Sequence, residues 1–286
     1  MSTSVDRAPK DGGGMRFPQP PVAFERALPV VGNLPVNGEY MKLVLAAPAD
    51  LVSRCRAGQF FHVLCPQIAG ETPYLRRPMS IYGFDEERGE LEFLYKVTGA
   101  GTRSLAALDT GDRLNVVGPL GRPFEIAPEW RHLVLLARGV GLATLAPLAL
   151  EARRLGRKLT AICSARSPEL LMSLDYFRDL GAEVIAVTDS DGSSAMENLE
   201  NVLEDLIARE GVDAFYTCGS NRMLKLLQRL GARHGIPGQI ALEQQMACGL
   251  GMCHCCVRPF RKAGRTVNQR VCREGPVFDL QEATAW

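Results

Sequence analysis

The 286-residue sequence has almost no net charge: 33 Lys and Arg stand against 32 Asp and Glu, a formal +1. That balance argues against a protein that binds nucleic acid by neutralising phosphates. Long apolar runs are also missing. The most apolar stretch, LVLLARGVGLATLAPLAL at 133–150, is broken by Arg138, two glycines and Pro147. A bilayer span needs about 20 apolar residues with little charge, so this stretch reads as strand, glycine turn and helix. The opening MSTSVDRAPKDGGGMRFPQPPVAF has no apolar core of the kind a signal peptide needs, and residues 1–25 read as a flexible leader. Internal repeats are absent. The cysteine count, nine, is odd; five lie beyond residue 247 and four of those between Cys248 and Cys256. A secreted disulfide scaffold shows an even set in a short chain. This clustering reads instead as a metal or cluster site in a reducing, cytoplasmic setting.

Three textures succeed one another along the chain. From 26 to 129, short runs rich in Val, Leu, Phe and Tyr (40–48, 58–66, 90–99 and 112–121) are mostly bounded by Gly, Pro, Asp or Asn. Their spacing predicts an antiparallel β-barrel or sandwich, with one helix over 102–112. From 130 to 235, strands (132–137, 158–166, 183–190, 213–219) alternate with helices (144–156, 168–181, 197–211, 221–235), which implies a parallel α/β sheet. Gly156, Gly181, Gly211 and Gly235 stand where glycine commonly ends a helix. From 236 to 286 little regular pattern remains, and a segment of about 50 residues without a large core needs a staple.

The staple is visible in QQMACGLGMCHCCVRPFRKAGRTVNQRVCREGPVF. Cys248, Cys253 and Cys256 stand at C-x4-C-x2-C, and Cys272 comes after fifteen intervening residues. This is the plant-type [2Fe–2S] order, in which soft thiolates suit iron. Gly249 and Gly251 allow the backbone to approach closely. Zinc on Cys253, Cys256, Cys272 and either Cys248 or His254 is the alternative reading of the same residues. Cys255 falls outside the frame. Cys55, Cys65 and Cys163 sit in or beside strand-like runs and read as buried apolar thiols.

Two further pieces bear on cofactors. In LRRPMSIYGF (75–84), an Arg followed three residues later by Ser can place a cation on a diphosphate and a hydroxyl by a ring nitrogen. VTGAGT (97–102) opens a helix, whose N–H groups suit a phosphate. Later, ARGVGLATL (137–145) puts Gly139 and Gly141 in a tight turn between strand and helix, suited to a pyrophosphate.

Taken together, RRPMSIYGF, LYKVTGAGT, GDRLNVVGPLGRPF, TCGSNRML, EQQMACGLGMCHCC and VCREGPVFD resemble the ferredoxin reductase superfamily. Within it they look most like the electron-transfer subunit of the dihydroorotate dehydrogenase B type, over residues 26 to 280. The acidic, glycine-containing phrase TDSDGS (188–193), set before a helix, also looks family-like. The resemblance implies three parts: an FAD-binding β-barrel (26–129), an α/β NAD(P)-binding domain (130–235) and a small C-terminal [2Fe-2S] domain (236–286). It places FAD against Arg77, Pro78, Met79 and Ser80, along Leu94, Tyr95 and Lys96, and at Gly101 and Thr102. It places the cluster on Cys248, Cys253, Cys256 and Cys272, the nucleotide turn at Gly139 and Gly141, and Cys218 near the nicotinamide. Relatives carry a run like GGGIGVAPL at that turn; Ala137, Arg138 and Thr144 depart from it, which leaves NADH against NADPH open. Arg138 either pairs with a phosphate, including the extra one of NADP(H), or faces solvent. The implied partner is an FMN-containing flavin dehydrogenase, most simply that of pyrimidine biosynthesis, in a heterotetramer with two copies of each subunit. A reductase subunit serving a hydrogenase or ferredoxin-linked enzyme is the alternative within redox chemistry. A non-enzymatic zinc module is the alternative outside it.

Overall fold

A computed structural model describes residues 23–70 and 72–285; the expected leader lies almost wholly outside them. The first part is a seven-stranded antiparallel sheet in the order β4-β3-β7-β1-β2-β6-β5. Its strands are β1 (Phe24–Pro35), β2 (Tyr40–Ala46), β3 (Phe60–Val63), β4 (Arg77–Ser80), β5 (Gly83–Asp85), β6 (Glu90–Lys96) and β7 (Arg113–Leu120). Helices α1 (Ala49–Val52) and α2 (Ala100–Ala106) are the regular helices within it. The two edges of the sheet, β4 and β5, are consecutive in the chain. One run, RPMSIYGFD, pairs with β3 at one end and with β6 at the other, and so closes the barrel. Its core holds Leu43, Leu45, Phe61, Ile81, Leu91 and Phe93, all at or below 1% exposure. Phe61 and Phe93 meet edge to face at 5.9 Å.

The sequence pattern does not mark β1, because Pro29 and Pro35 weaken its strand signal. The prolines are tolerated because the strand changes partner. Residues 24–29 pair with β7 and residues 30–35 with β2, with a register shift between Val30 and Gly32. Helix α2 also starts and ends earlier than the expected 102–112: Asp112 accepts the Asp109 N–H at 2.9 Å and closes residues 109–112 into a turn.

The second part is a six-stranded sheet, order β10-β9-β8-β11-β12-β15. Strands β8 (His132–Arg138), β9 (Lys158–Ala165), β10 (Glu183–Thr188), β11 (Ala214–Cys218) and β12 (Gly238–Ala241) are parallel. Helices α3 (Gly141–Arg154), α4 (Leu174–Asp179), α5 (Met196–Glu210) and α6 (Asn221–His234) connect them. The expected helix over 168–181 is broken. Pro168–Leu170 forms a single 3-10 turn, and Ser173, at φ 61°, restarts the chain into the short α4. No helix among the described residues is long and apolar enough to cross a membrane.

The last stretch has more regular structure than its composition suggests. Residues 238–241 and β15 (Val277–Asp279) belong to the six-stranded sheet, with β15 antiparallel to β12. The hairpin of β13 (Val257–Lys262) and β14 (Arg265–Arg270) lies between them in sequence. The cysteine loop is therefore clasped at both ends by the sheet. Phe260 of the hairpin and Phe278 of β15 stack with centroids 4.2 Å apart. One continuous apolar cluster joins Cys256, Cys272 and Phe260 to α5, α6 and the barrel residues Phe60 and Leu120.

Candidate functional site

Three local features converge where the parts meet. The first is the strand order of the α/β sheet. Strand β8 leads to β9 and β10 on one side and to β11 and β12 on the other. The crevice at the carboxyl ends of β8 and β11 is thus the topological switch point, where open α/β sheets bind ligands. Gly141 from the first turn lies there against Gly219, and Gly139 faces the Tyr40 hydroxyl. A Cβ on Gly141 would stand 2.6 Å from the Cys218 carbonyl oxygen, so the two loops touch backbone to backbone. A cleft of about 260 Å³ opens at this point, with Tyr40 and Lys96 on the barrel wall and Arg138, Gly139, Arg166 and Gly219 on the other.

Charged groups on the cleft are paired across it. Glu39, held in its turn by Asn37, pairs with Lys96 at 2.7 Å and with Arg166. The Lys96 and Arg166 cations hold the Glu39 carboxyl below its ordinary range. Arg138 does not point freely to solvent. Its guanidinium grips Asp189 with two bonds, 3.0 and 2.6 Å, and donates to Ser164 Oγ at 3.1 Å. With Arg138 and Ser194 donating to it, the Asp189 carboxyl is held down at about 2. Cys218 is buried, its Sγ 3.8 Å from Thr144 Oγ1. Burial, and secondarily the Glu243 carboxylate, push the thiol pKa up. Glu243 itself is reached by solvent but walled in by protein, which raises its carboxyl pKa.

The second feature is the barrel wall. Arg77, Pro78, Met79 and Ser80 form β4, each half-buried, and pair with Val63, His62, Phe61 and Phe60. The Arg77 guanidinium lies along α2; a Cβ on Gly101 would stand 2.9 Å from its Nε. The Thr102 hydroxyl is engaged within its own loop, accepting the Thr98 and Gly99 N–H groups at 2.8 and 3.1 Å. Strand alternation separates the β6 residues. Leu94 packs in the small cluster with Tyr40, Ala143 and Met172 between the two parts. Tyr95 turns into the barrel core and donates its hydroxyl to Asn33 Oδ1 at 3.0 Å.

The third feature is the cysteine loop. Cys256 and Cys272 are buried with sulfurs 3.2 Å apart. Cys253 stands five positions on from Cys248 in the same loop, and the Leu250 N–H points at Cys248 Sγ at 3.4 Å. Burial alone would raise the Cys248 thiol, but the N–H groups of Cys253, Leu250 and Met252 outweigh it and hold it at about 6. Among the described residues no three candidate ligands converge as they do around a single ion. The Cys256–Cys272 pair, with Cys248 and Cys253 on the adjoining loop, offers four thiolates, the ligand number of a two-iron cluster. Gly249 (φ +68°) presses against the barrel: a Cβ there would stand 2.8 Å from His62 Nδ1. His62 is buried, and burial followed by the nearby Arg76 charge lowers its pKa to about 4. Its Nε2 finds no partner. Cys255 is exposed beside Cys256, while Cys55, Cys65 and Cys163 are buried, as expected for apolar thiols.

The structure thus brings Lys96, Gly139 and Arg138 to one cleft, and sets Cys272, just past the β13–β14 hairpin, against Cys256 at the end of the loop that carries Cys248 and Cys253. It sends Tyr95 inward. No motif marks Glu39 or His62, whose neighbours the fold alone makes, whereas Glu243 opens the EQQMACG phrase before the cysteines. Asp189 does carry a signal, since it lies in the TDSDGS phrase.

Comparison with known proteins agrees. Residues 243–284 match the family model of the iron–sulfur cluster binding domain of dihydroorotate dehydrogenase B. The dihydroorotate dehydrogenase B (NAD(+)) electron transfer subunit of Desulforamulus reducens is 33% identical over 257 residues, 89% of this chain and 95% of that protein. The protein of the same name from Caldanaerobacter subterraneus subsp. tengcongensis is 36% identical over 226 residues, 79% and 85% of the two chains. A solved structure of an NADH-dependent reduced ferredoxin-NADP oxidoreductase, studied for flavin-based electron bifurcation, superposes with a TM-score of 0.74. It is 28% identical and covers 90% of this chain and 89% of its own. The ferredoxin reductase of carbazole 1,9a-dioxygenase has a TM-score of 0.60 at 20% identity, over 75% and 67% of the chains, and shares the fold. On this ground the chain belongs to the family of dihydroorotate dehydrogenase B electron transfer subunits.

Proposed function

We propose that the chain is the electron-transfer subunit of an oxidoreductase. It would pass electrons between a nicotinamide nucleotide, FAD and a [2Fe-2S] cluster, to or from a partner flavin dehydrogenase acting on dihydroorotate in the cytoplasm. The observation that carries this reading is the contact of Cys256 with Cys272 across the β13–β14 hairpin, beside a loop that also carries Cys248 and Cys253 and that Gly249 presses against His62 of the barrel. Residues 26–129 are taken as the FAD part, 130–235 as the nucleotide part and 236–286 as the cluster part, the last lending two strands to the sheet.

When bound, FAD exchanges a hydride with nicotinamide and single electrons with an iron–sulfur cluster. The chain's own groups position these partners. Arg77, Pro78, Met79 and Ser80 line the wall where the flavin lies; Arg77 offers a cation beside Gly101, and Ser80 a hydroxyl. Lys96 faces the cleft with Tyr40, Leu94 is buried beside Tyr40, and Tyr95 props β6 from within. Thr102 holds its loop rather than reaching outward. Gly139 and Gly141 leave room for a pyrophosphate, and Cys218 lies behind that turn. Cys248, Cys253, Cys256 and Cys272 hold the irons, and N–H groups on Cys248 stabilise its thiolate charge. No residue of this chain needs to act as an acid or base on an organic substrate, which belongs to the partner.

A visible spectrum of the anaerobically purified chain tests the reading. Flavin bands with a broad iron–sulfur shoulder support it. A colourless protein carrying zinc rejects it. Co-purification then identifies the partner, and dihydroorotate oxidation by the single chain alone would contradict the assigned division of labour.

A further inference from the structure

Strand β3 serves two parts of the chain. Phe61 and Val63 belong to the barrel core, so by strand alternation Phe60 and His62 look the other way, and Phe60 joins the apolar cluster that holds Cys256 and Cys272. His62 pairs directly with Pro78 of β4, the strand assigned to the flavin. Directly opposed residues of an antiparallel pair stand about 5 Å apart. The backbone is fixed at this point, because Arg76 donates to the His62 carbonyl at 3.2 Å and pairs with Glu25 at 2.8 Å.

The far end of the same side chain meets the cysteine loop. A Cβ on Gly249 would stand 2.8 Å from His62 Nδ1 and 3.4 Å from Cε1, so the ring edge bears on the main chain next to Cys248. The backbone of Met246 and of Cys248 favours a proton on the ring, as carbonyls facing an N–H do, against the larger effect of burial. His62 is 1% exposed, and its Nε2 finds no partner among the described residues. A neutral imidazole has one donor and one acceptor. With the acceptor at Nε2 idle, the donor is at Nδ1, facing the loop. An apolar side chain would fill this site without the cost of burying an idle polar atom. The donor offsets that cost, and one side chain thereby links the flavin-bearing strand to the loop of a cluster ligand.

We propose that His62 is a positioning residue for the cluster: its Nδ1–H holds the Met246–Gly249 main chain, and with it the Leu250 N–H that points at Cys248 Sγ, in the place that sets the cluster's reduction potential. The proposal rests on the cluster reading above. Hydrogen bonds to the ligand sulfurs tune such a potential, by stabilising the extra negative charge of the reduced form. Groups behind the ligands orient them. Without the His62 donor the turn relaxes, the Leu250 N–H retreats from Cys248, and the potential falls.

Three variants of the full-length chain, loaded with FAD and iron, test this. His62→Phe fills the space with no donor. His62→Asn puts an amide nitrogen near the place of Nδ1, whereas His62→Gln reaches toward the place of Nε2. Iron per flavin, the electron paramagnetic resonance spectrum of the dithionite-reduced chain, and a redox titration of both centres are the readouts. His62→Phe and His62→Gln should alter the line shape and make the cluster at least about tenfold harder to reduce, about 59 mV for one electron, with the flavin potential unchanged. His62→Asn should return both readouts toward the native chain. Loss of iron from the Phe variant with retention in the Asn variant also supports the proposal. A native potential in the Phe variant overturns it, as does an Asn variant no closer to native than the Gln variant in potential and iron. A native chain that binds flavin but shows no cluster signal overturns the cluster reading itself.

Discussion

Cys256 Sγ lies 3.2 Å from Cys272 Sγ, although sixteen positions separate them in the chain. The contact is made by the β13–β14 hairpin, which returns Val271 to Cys256, with the Val271 N–H on the Cys256 carbonyl at 3.1 Å. Neighbouring Cys255 points out to solvent instead. Cys256→Ser should therefore lose iron and the visible shoulder, and Cys255→Ser should keep both. Iron per flavin, measured chemically on the two variants, checks this. Equal iron in both would mean that Cys255 can serve as a ligand.

Gly249 couples the cysteine loop to the barrel. Its φ of +68° and the 2.8 Å approach to His62 Nδ1 both exclude a side chain. Gly249→Ala should destabilise the protein by about 1–2 kcal/mol from the left-handed backbone, with a further steric cost. Adding His62→Ala should recover the steric share and leave the backbone share. A double-mutant cycle in urea separates the two.

Thr102 caps its loop by accepting the N–H groups of Thr98 and Gly99. Thr102→Val leaves both without that partner and should cost about 1 kcal/mol, the usual loss for a removed cap. The flavin should then dissociate faster from the variant on dilution. Unchanged retention would show that the loop does not touch the cofactor.

The Arg138–Asp189 pair makes folding stability depend on pH in acid. The folded-state pKa of Asp189, about 2, lies below the ordinary carboxyl value of 3.8. The contribution is therefore complete above the unfolded value and disappears as pH falls through the folded one. With the Asp189 side chain 41% exposed, screening limits it to about 1 kcal/mol or less. The stability gap between the native chain and Asp189→Asn should be constant from neutral pH to about 4 and close by about 2, as read from urea midpoints.

Phe260 is fully buried and stacks on Phe278. Phe260→Ala should cost about 3–5 kcal/mol, the range for a large aromatic removed from a core. Because the same cluster holds Cys256 and Cys272, iron should be lost at a lower denaturant concentration than in the native chain. Coincident loss of iron and of helix signal would show that the hairpin and the sheet unfold together.

The α/β half is legible in the sequence because each strand is rich in apolar residues and glycine comes after most of its helices. The barrel is legible as a class but not strand by strand. The prolines of β1 mask a strand that changes partner midway, a fact that lies in β2 and β7 rather than in β1. The segment 168–181 has the right apolar spacing for one helix, yet Ser173 in a left-handed conformation divides it.

What the sequence by itself determined is the set of cysteines at C-x4-C-x2-C with a distant fourth, the glycine turn at 139–141, and the alternation that builds a parallel sheet. These are short-range properties, carried by spacing and by the conformational range of each residue. Only the tertiary structure decided that the Cys256 and Cys272 sulfurs meet, that Arg138 grips Asp189, and that Arg166 meets Glu39 across a cleft between two parts of the chain. Such pairings join residues tens of positions apart, and they depend on strand order and on which face of a strand looks outward. A linear pattern carries neither until the sheet has formed.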